Sequence, residues 1–185
     1  MPDRDDIEIT IPEQEGWDNV KEEFVQIKET KIRMKHSLLS ISKWEMKWKK
    51  PFLSPGYQMT DEELTDYFKC MTITQNVDPC AYDFISAKDK DRIVEYINTP
   101  LSAYPHRDNK KKGAQPAIVS ERIYYWMAHN NIPSSYEKWH LSRLLNLLDI
   151  AAKDNEPPEK VSTAEAIRQR RELNLARRKA WNTRG

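Results

Sequence analysis

The sequence has little glycine and cysteine and no long apolar run. Its 185 residues include four glycines and two cysteines. Four glycines leave no glycine-rich loop of the kind that holds phosphate groups, and Cys70 and Cys80 form neither a disulfide framework nor a CxxC pair. No apolar run approaches the roughly 18 residues of a membrane-spanning helix, and the N-terminus lacks the features of a signal peptide. These absences favour a soluble protein of the cytoplasm, with no membrane partner.

The sequence also lacks the motifs of common catalytic and metal sites. Its four histidines (His36, His106, His129 and His140) do not pair with each other, with cysteine or with carboxylates at metal-ligand spacing. No GxSxG motif marks a nucleophilic serine. We therefore predict no catalytic residue, no metal and no cofactor, and expect an interaction protein rather than an enzyme. A site assembled from residues far apart in the chain stays open, because proximity in the fold is not visible at this level.

Charge is unevenly distributed, although the net charge is only +1. Residues 1–30 contain ten acidic and three basic side chains, whereas residues 31–50 contain one acidic and seven basic. Residues 160–185 contain two acidic and eight basic side chains. An acidic head and a basic tail favour self-association, within one chain or between neighbours. Ordinary solvent-exposed charge explains the same pattern.

The apolar periodicity predicts a mainly α fold, a small helical domain of about five to six helices with a short β element near the N-terminus. The ends are polar and are candidates for mobility. We predict an acidic head at 1–22 that is a candidate for disorder, and a helical core domain at 23–155 with a loop or lobe boundary at 101–117. A linker and a basic C-terminal helix follow at 156–185.

Two stretches near the N-terminus have the alternation of β-strands. Ile7, Ile9 and Ile11 alternate with polar residues until a proline ends the pattern. Residues 23–36 suggest one or two short strands. A turn or bulge is expected near residues 29–30, because the parity of the apolar positions changes there.

The helices are predicted from their N-terminal caps. Short polar side chains accept hydrogen bonds from the first free N–H groups of a helix, and a glutamate three residues later completes a capping box. The predicted caps are Ser37, Thr60 with Glu63, Ser86 or Asp89, Ser120, Ser134 with Glu137, and Ser162 with Glu165. The helix predicted at 135–153 is the most apolar, so we expect it at the centre of the fold. The arginine-rich helix at 163–181 is expected to dock loosely or to fold on a partner.

Aromatic side chains beside basic ones form the candidate contact surface. Tryptophan and tyrosine next to cations are frequent in protein interfaces. The predicted partner-binding residues are Trp44, Trp48, Phe52, Tyr125 and Arg143. The same aromatic residues are also the best core candidates, since most of them fall at helical spacing.

Several segments occur together in a characteristic order. They are 36–45 (HSLLSISKWE) with 50–53 (KPFL), 66–71 (DYFKCM), 121–127 (ERIYYWM) with 132–133 (IP), 138–145 (KWHLSRLL), and 173–174 (LN) with 177–178 (RR). This set resembles the tail assembly chaperone family of tailed bacteriophages and covers residues 30–180. The acidic residues 1–22 and the lysines at 110–112 fit the pattern poorly, so the resemblance implies nothing for them.

The resemblance implies a protein that binds the tape-measure protein, with other tail proteins as further candidate partners, in the host cell cytoplasm before the tail tube polymerises. A tape measure is a long chain of amphipathic segments that self-associate when uncovered. An aromatic groove would cover such segments by helix-in-groove contacts. Two other functions stay open: a structural virion protein, as a tail or connector component whose charged ends mediate subunit contacts, and, less favoured, a nucleic-acid-binding protein that uses the basic tail.

Overall fold

The computed structural model describes residues 5–18, 22–102, 117–155 and 163–181. Most of the predicted loop at 101–117 and the predicted cap Ser162 lie outside these ranges. The chain divides into two units, Met1–Ala152 and Lys153–Gly185. Within the described ranges, no helix combines the length and the apolar composition that a membrane span requires.

The first unit begins with four short strands: β1 (Ile7–Ile11), β2 (Gln14–Asp18), β3 (Glu23–Ile27) and β4 (Thr30–Met34). Strand β1 pairs with β4, and β2 pairs with β3, both antiparallel. The two strand pairs have the same register. In both, the numbers of two facing residues add to 41, as for Ile7 with Met34 and for Gln14 with Ile27. The two sheets are therefore one two-stranded ribbon, interrupted at 12–13 and at 28–29. Pro12 accounts for the interruption, since proline has no N–H to donate to a partner strand.

The ribbon confirms the predicted strands and enlarges the β part of the fold. Ile9, Ile11, Ile32 and Met34 are buried on its inner side. The prediction of a mainly α fold is confirmed only in part, because helices predominate but two two-stranded sheets accompany them. Strand β2 pairs with β3 across the predicted boundary between residues 22 and 23, so the ribbon contains both part of the acidic head and the start of the predicted core.

Six α-helices and two 3-10 helices follow in the described residues. They are α1 (Leu38–Trp48), α2 (Asp61–Met71), a 3-10 helix (Pro79–Phe84), α3 (Ala87–Asn98), α4 (Ser120–His129), a 3-10 helix (Ser134–Lys138), α5 (Leu141–Asp154) and α6 (Thr163–Trp181). Three predicted caps are confirmed. Ser37 accepts from the N–H of Ser40, Thr60 forms both halves of its capping box, and Ser86 rather than Asp89 caps α3.

Two predicted caps are wrong. Ser120 lies inside α4, and no side chain of the preceding residue caps that helix. The backbone N–H of Ser120 instead donates to the carboxylate of Glu45, at 2.8 Å. Ser134 begins a 3-10 helix without a side-chain cap. The expected box partner, Glu137, accepts a hydrogen bond from the hydroxyl of Tyr124 at 2.8 Å. At α4 a carboxylate from another segment therefore takes the place of the local cap, whereas at Ser134 the expected partner Glu137 is engaged by Tyr124 instead.

Helix α1, not α5, lies at the centre of the first unit. It contacts α2, α4 and the 3-10 helix at Ser134–Lys138, and Leu38, Ile41 and Trp44 are completely buried. The predicted helix at 135–153 begins only at Leu141, because the chain is extended at His140, where it forms a β-bridge with Ser37. Several apolar side chains of α5 are only partly buried, so its high apolar content did not predict a central position.

Helix α6 belongs to the second unit and matches the predicted range of 163–181. Its larger apolar side chains, Ile167, Leu173, Leu175 and Trp181, are exposed. Arg168 and Glu172 form an ion pair of 3.6 Å, one turn apart. Exposed pairs of this spacing add only about 0.3–0.5 kcal/mol to a helix. Local ion pairing is therefore a minor contribution to the stability of α6.

Candidate functional site

The predicted contact residues Trp44, Trp48 and Phe52 lie together around the C-terminal half of α1. Trp44 is completely buried, and its Nε1–H donates to the carbonyl of Glu63 at 2.9 Å. Its ring meets the ring of Phe52 edge-on, with centroids 5.4 Å apart. Trp48 is half-buried, and its Nε1–H donates to Asp66 at 3.1 Å. Both indole N–H groups therefore have internal partners, as buried tryptophans require.

Two lysines close this cluster on its solvent side. Lys47 forms an ion pair with Asp66, and Lys50 forms one with Glu63, at 2.6 Å. The Nζ of each lysine lies less than 6 Å from the Trp48 ring, at 5.5 Å and 5.7 Å. The hydrogen bond from Lys50 holds the pKa of Glu63 down at about 2. Trp48 is thus the partly exposed aromatic centre of a balanced group of charges.

Glu45 connects this cluster to helix α4. Its side chain is buried, and its two carboxylate oxygens accept from the N–H groups of Phe52 and Ser120, each at 2.8 Å. The second contact places a negative charge at the N-terminus of α4, where the helix dipole is positive. One carboxylate therefore holds the segment after α1 and the start of α4 in place.

Two buried histidines lie at the other end of α1. His36 and His140 have ring centroids 5.2 Å apart, and neither is appreciably exposed. The Nδ1 of His36 shares a hydrogen bond of 2.5 Å with the hydroxyl of Tyr67. Burial, helped by the nearby His140, lowers the pKa of His36 to about 3. Burial also lowers the pKa of His140. Both imidazoles are therefore neutral at pH 7.

The histidine pair is part of the interior of the first unit. Among the described residues, no group of three or more His, Cys, Asp or Glu side chains is placed to hold a metal ion. The backbone N–H of Leu141 donates to the backbone carbonyl of His36 at 2.9 Å. His140 Nδ1 bonds the hydroxyl of Ser142 at 2.8 Å. The first contact joins the N-terminus of α1 to that of α5, and the second lies within the start of α5.

Arg143 has its own neighbours on the first turn of α5. Its guanidinium lies 5.0 Å from the centroid of the Trp139 ring, and Trp139 stacks on Tyr136 with centroids 4.0 Å apart. Arg143 also forms an ion pair with Asp5. The backbone carbonyl of Asp5 accepts from the hydroxyl of Tyr96. Part of the acidic head is therefore bound to the core of its own unit, and a partner that engages Arg143 must compete with Asp5.

Tyr125 is the most exposed of the predicted contact residues. Its side chain lies on α4, is 60% exposed, and stacks on His129 with centroids 6.1 Å apart. The structure thus brings Trp44, Trp48 and Phe52 together, but gives Tyr125 and Arg143 other neighbours. Trp44 has no exposed surface, so it cannot contact a partner directly and only packs beneath Trp48 and Phe52.

One aromatic pair was absent from the predicted contact surface. Trp17 on β2 faces Phe24 on β3, and their rings meet edge-on with centroids 5.1 Å apart. They are 48% and 70% exposed. The predicted boundary between residues 22 and 23 separated these two residues. No apolar alternation marks β2 in the sequence, so only the pairing of β2 with β3 brings these two residues together.

Comparison with protein-family models, with curated proteins and with solved structures gave no match.

Proposed function

We propose that this protein is a non-enzymatic tail assembly chaperone of a tailed bacteriophage. It binds the tape-measure protein in the host cell cytoplasm and keeps it soluble until the tail tube polymerises. One observation supports the proposal beyond the resemblance of the segments: several of those segments, all in the first unit, meet through hydrogen bonds around α1. Glu45, from 36–45, bonds both the 50–53 segment and the residue that precedes 121–127. His36 bonds Tyr67 of 66–71 and Leu141 of 138–145.

This convergence is what a common fold would produce. Buried polar groups in a packed scaffold are hydrogen-bonded, so segments that belong to one scaffold are expected to exchange such bonds. The side chains left exposed around the scaffold include aromatic ones: Trp17, Phe24 and Tyr125. Exposed aromatic side chains suit a partner with apolar helical faces. An interface of modest size suits a chaperone, because tube subunits must be able to displace it.

The experiment is co-expression with the product of the tape-measure gene. We expect the tape-measure protein to stay in the supernatant with the chaperone, to precipitate without it, and to co-purify with it. A matched variant, Tyr125→Ser, tests whether the α4 surface takes part, since a half-exposed tyrosine can be replaced without loss of the core. Two proteins that stay separate, with unchanged precipitation of the tape measure, would contradict the proposal.

A structural role in the virion is the second candidate. The observation that favours it is α6, whose arginines at 168, 170, 171, 177 and 178 are exposed along a helix of 19 residues. Exposed charge of one sign suits contacts between neighbouring subunits. Mass spectrometry of purified particles separates the two functions. Stoichiometric copies in the particle would favour the structural role, and absence from the particle would favour the chaperone. Filter binding at two salt concentrations tests whether the same arginines bind nucleic acid.

A further inference from the structure

The outward side of the β2–β3 ribbon carries two large aromatic side chains. Neighbouring residues on a strand point to opposite sides, and directly facing residues point to the same side. Gly16 faces Val25 on one side of the ribbon, and Trp17 faces Phe24 on the other. Trp17 and Phe24 are exposed, as are Glu13 and Glu15 beside them.

The inward side of the same ribbon is filled. Ile27 is buried and Val25 is partly buried. The ring of Phe84 lies directly against Gly16, where an added Cβ would be 1.8 Å from Cε1 of Phe84. The glycine is needed for this close approach. Because the inward side has no room, the register holds Trp17 and Phe24 on the solvent side.

The charge along the chain near the aromatic pair is mostly negative. Residues 13–23 contain five acidic side chains and one lysine, in a chain whose net charge is +1. Glu13 is further fixed by a hydrogen bond of 3.3 Å from the side chain of Gln26. Aromatic ring faces attract ammonium and guanidinium groups, and adjacent carboxylates pair with the same groups. The acidic charge disfavours anionic partners such as nucleic acid.

We propose that the outward side of the β2–β3 ribbon is a docking surface for a basic, amphipathic polypeptide segment of another protein. Lysine or arginine side chains of that segment lie against Trp17 and Phe24 and pair with Glu13 and Glu15. Its apolar side chains cover the remaining aromatic surface. The ribbon's register, its filled inward side and its charge carry this proposal, which does not depend on the tape-measure assignment.

The test measures binding of a fluorescent synthetic peptide of alternating lysine and leucine to the full chain, by anisotropy at two salt concentrations. A peptide with glutamate in place of lysine is the control ligand. We expect the lysine peptide to bind and the glutamate peptide not to bind. The double variant Trp17→Ser/Phe24→Ser should weaken binding roughly tenfold, the scale of a desolvated cation–aromatic contact. The variant Val94→Ser, which removes an exposed apolar side chain on α3, should bind normally.

A second variant keeps the test decisive if the double variant folds poorly. Glu13→Gln/Glu15→Gln leaves the aromatic pair in place and should weaken binding while reducing its dependence on salt. Equal binding of both peptides, or unchanged binding in both variants, would overturn the proposal. Sedimentation of the full chain covers the remaining occupant. A dimer that the aromatic double variant dissociates would assign this face to a second copy and would also overturn the proposal.

Discussion

Lowering the pH from 7 to 5 should destabilise the first unit through its two buried histidines. A folded-state pKa below the unfolded value means that the unfolded chain binds more protons in the interval between them. Stability is therefore intact above the unfolded pKa of about 6.5 and falls as the pH decreases. For His36, burial lowers the folded pKa to about 3. The free energy of unfolding therefore decreases as the pH falls from about 6.5 to about 3. The lowered pKa of His140 acts in the same direction.

The size of the effect follows from the His36 values. With 6.5 in the unfolded chain and about 3 in the fold, linkage gives a loss of about 2 kcal/mol between pH 7 and pH 5 from this residue alone. That is a sizeable part of the roughly 5–15 kcal/mol that stabilises a typical domain. The carboxylates with lowered pKa values, Glu63 and Asp89, lose their contribution only as the pH falls through the range below about 4.5. The interval from pH 7 to pH 5 therefore reports the histidines.

The measurement is urea unfolding followed by tryptophan fluorescence, at half-unit steps of pH. His36→Gln removes the titrating group and keeps a side chain able to bond Tyr67. We expect this variant to be less stable than the natural chain at pH 7 but to have a flatter pH dependence. His129→Gln is the matched control, because His129 is exposed on α4 and its replacement creates no change in the interior.

Two results would refute the reasoning. One is a free energy of unfolding that is constant between pH 7 and pH 5 in the natural chain. The other is a pH dependence in His36→Gln equal to that of the natural chain, since the loss would then arise elsewhere. A flatter dependence in the His129→Gln control would also count against His36, because it would place the titration on the surface.

Three further substitutions should change stability, each measured by urea unfolding at pH 7. Glu45→Ala leaves two backbone N–H groups without their acceptor and should cost about 2–4 kcal/mol; a loss below that of an ordinary surface substitution would contradict its role. Gly16→Ala drives the new Cβ into the Phe84 ring and should cost about 1–3 kcal/mol, whereas an unchanged midpoint would show that the ring moves freely. Thr60→Ala removes half of the α2 capping box and should cost about 0.5–2 kcal/mol, with Thr60→Ser as the control that retains the cap.

Local signals predicted the elements of this fold better than their arrangement. The caps at Ser37, Thr60 and Ser86 are formed by bonds within four residues, so the sequence contains all that is needed to find them. The start of α4 depends on Glu45, which is 75 residues from Ser120 along the chain. No local pattern encodes that contact. The same holds for the extended residue His140, whose bridge to Ser37 delays the start of α5.

Aromatic content was a poor guide to which side chains are exposed. Trp44 and Trp17 are the same residue type with charged neighbours, yet one is completely buried and the other is 48% exposed. Helical spacing indicated that Trp44 faces inward, whereas the outward position of Trp17 follows only from the pairing of β2 with β3. Pairing between strands depends on two segments together. The predicted boundary between residues 22 and 23 separates β2 from β3, so the prediction did not include their pairing.

We expect the buried polar residues of the motif segments and the exposed aromatic residues to have different roles. Glu45 and Asp66 have their carboxylates engaged inside the molecule, and His36 bonds Tyr67. A partner that recruited any of these groups would first have to break a buried hydrogen bond, at a cost of about 1–3 kcal/mol each. A face such as that of Trp17 and Phe24 carries no such cost, because its side chains are already exposed and held in position by the ribbon. Substitutions on that face should therefore change binding at unchanged stability, whereas substitutions of buried polar residues such as Glu45 should change stability first.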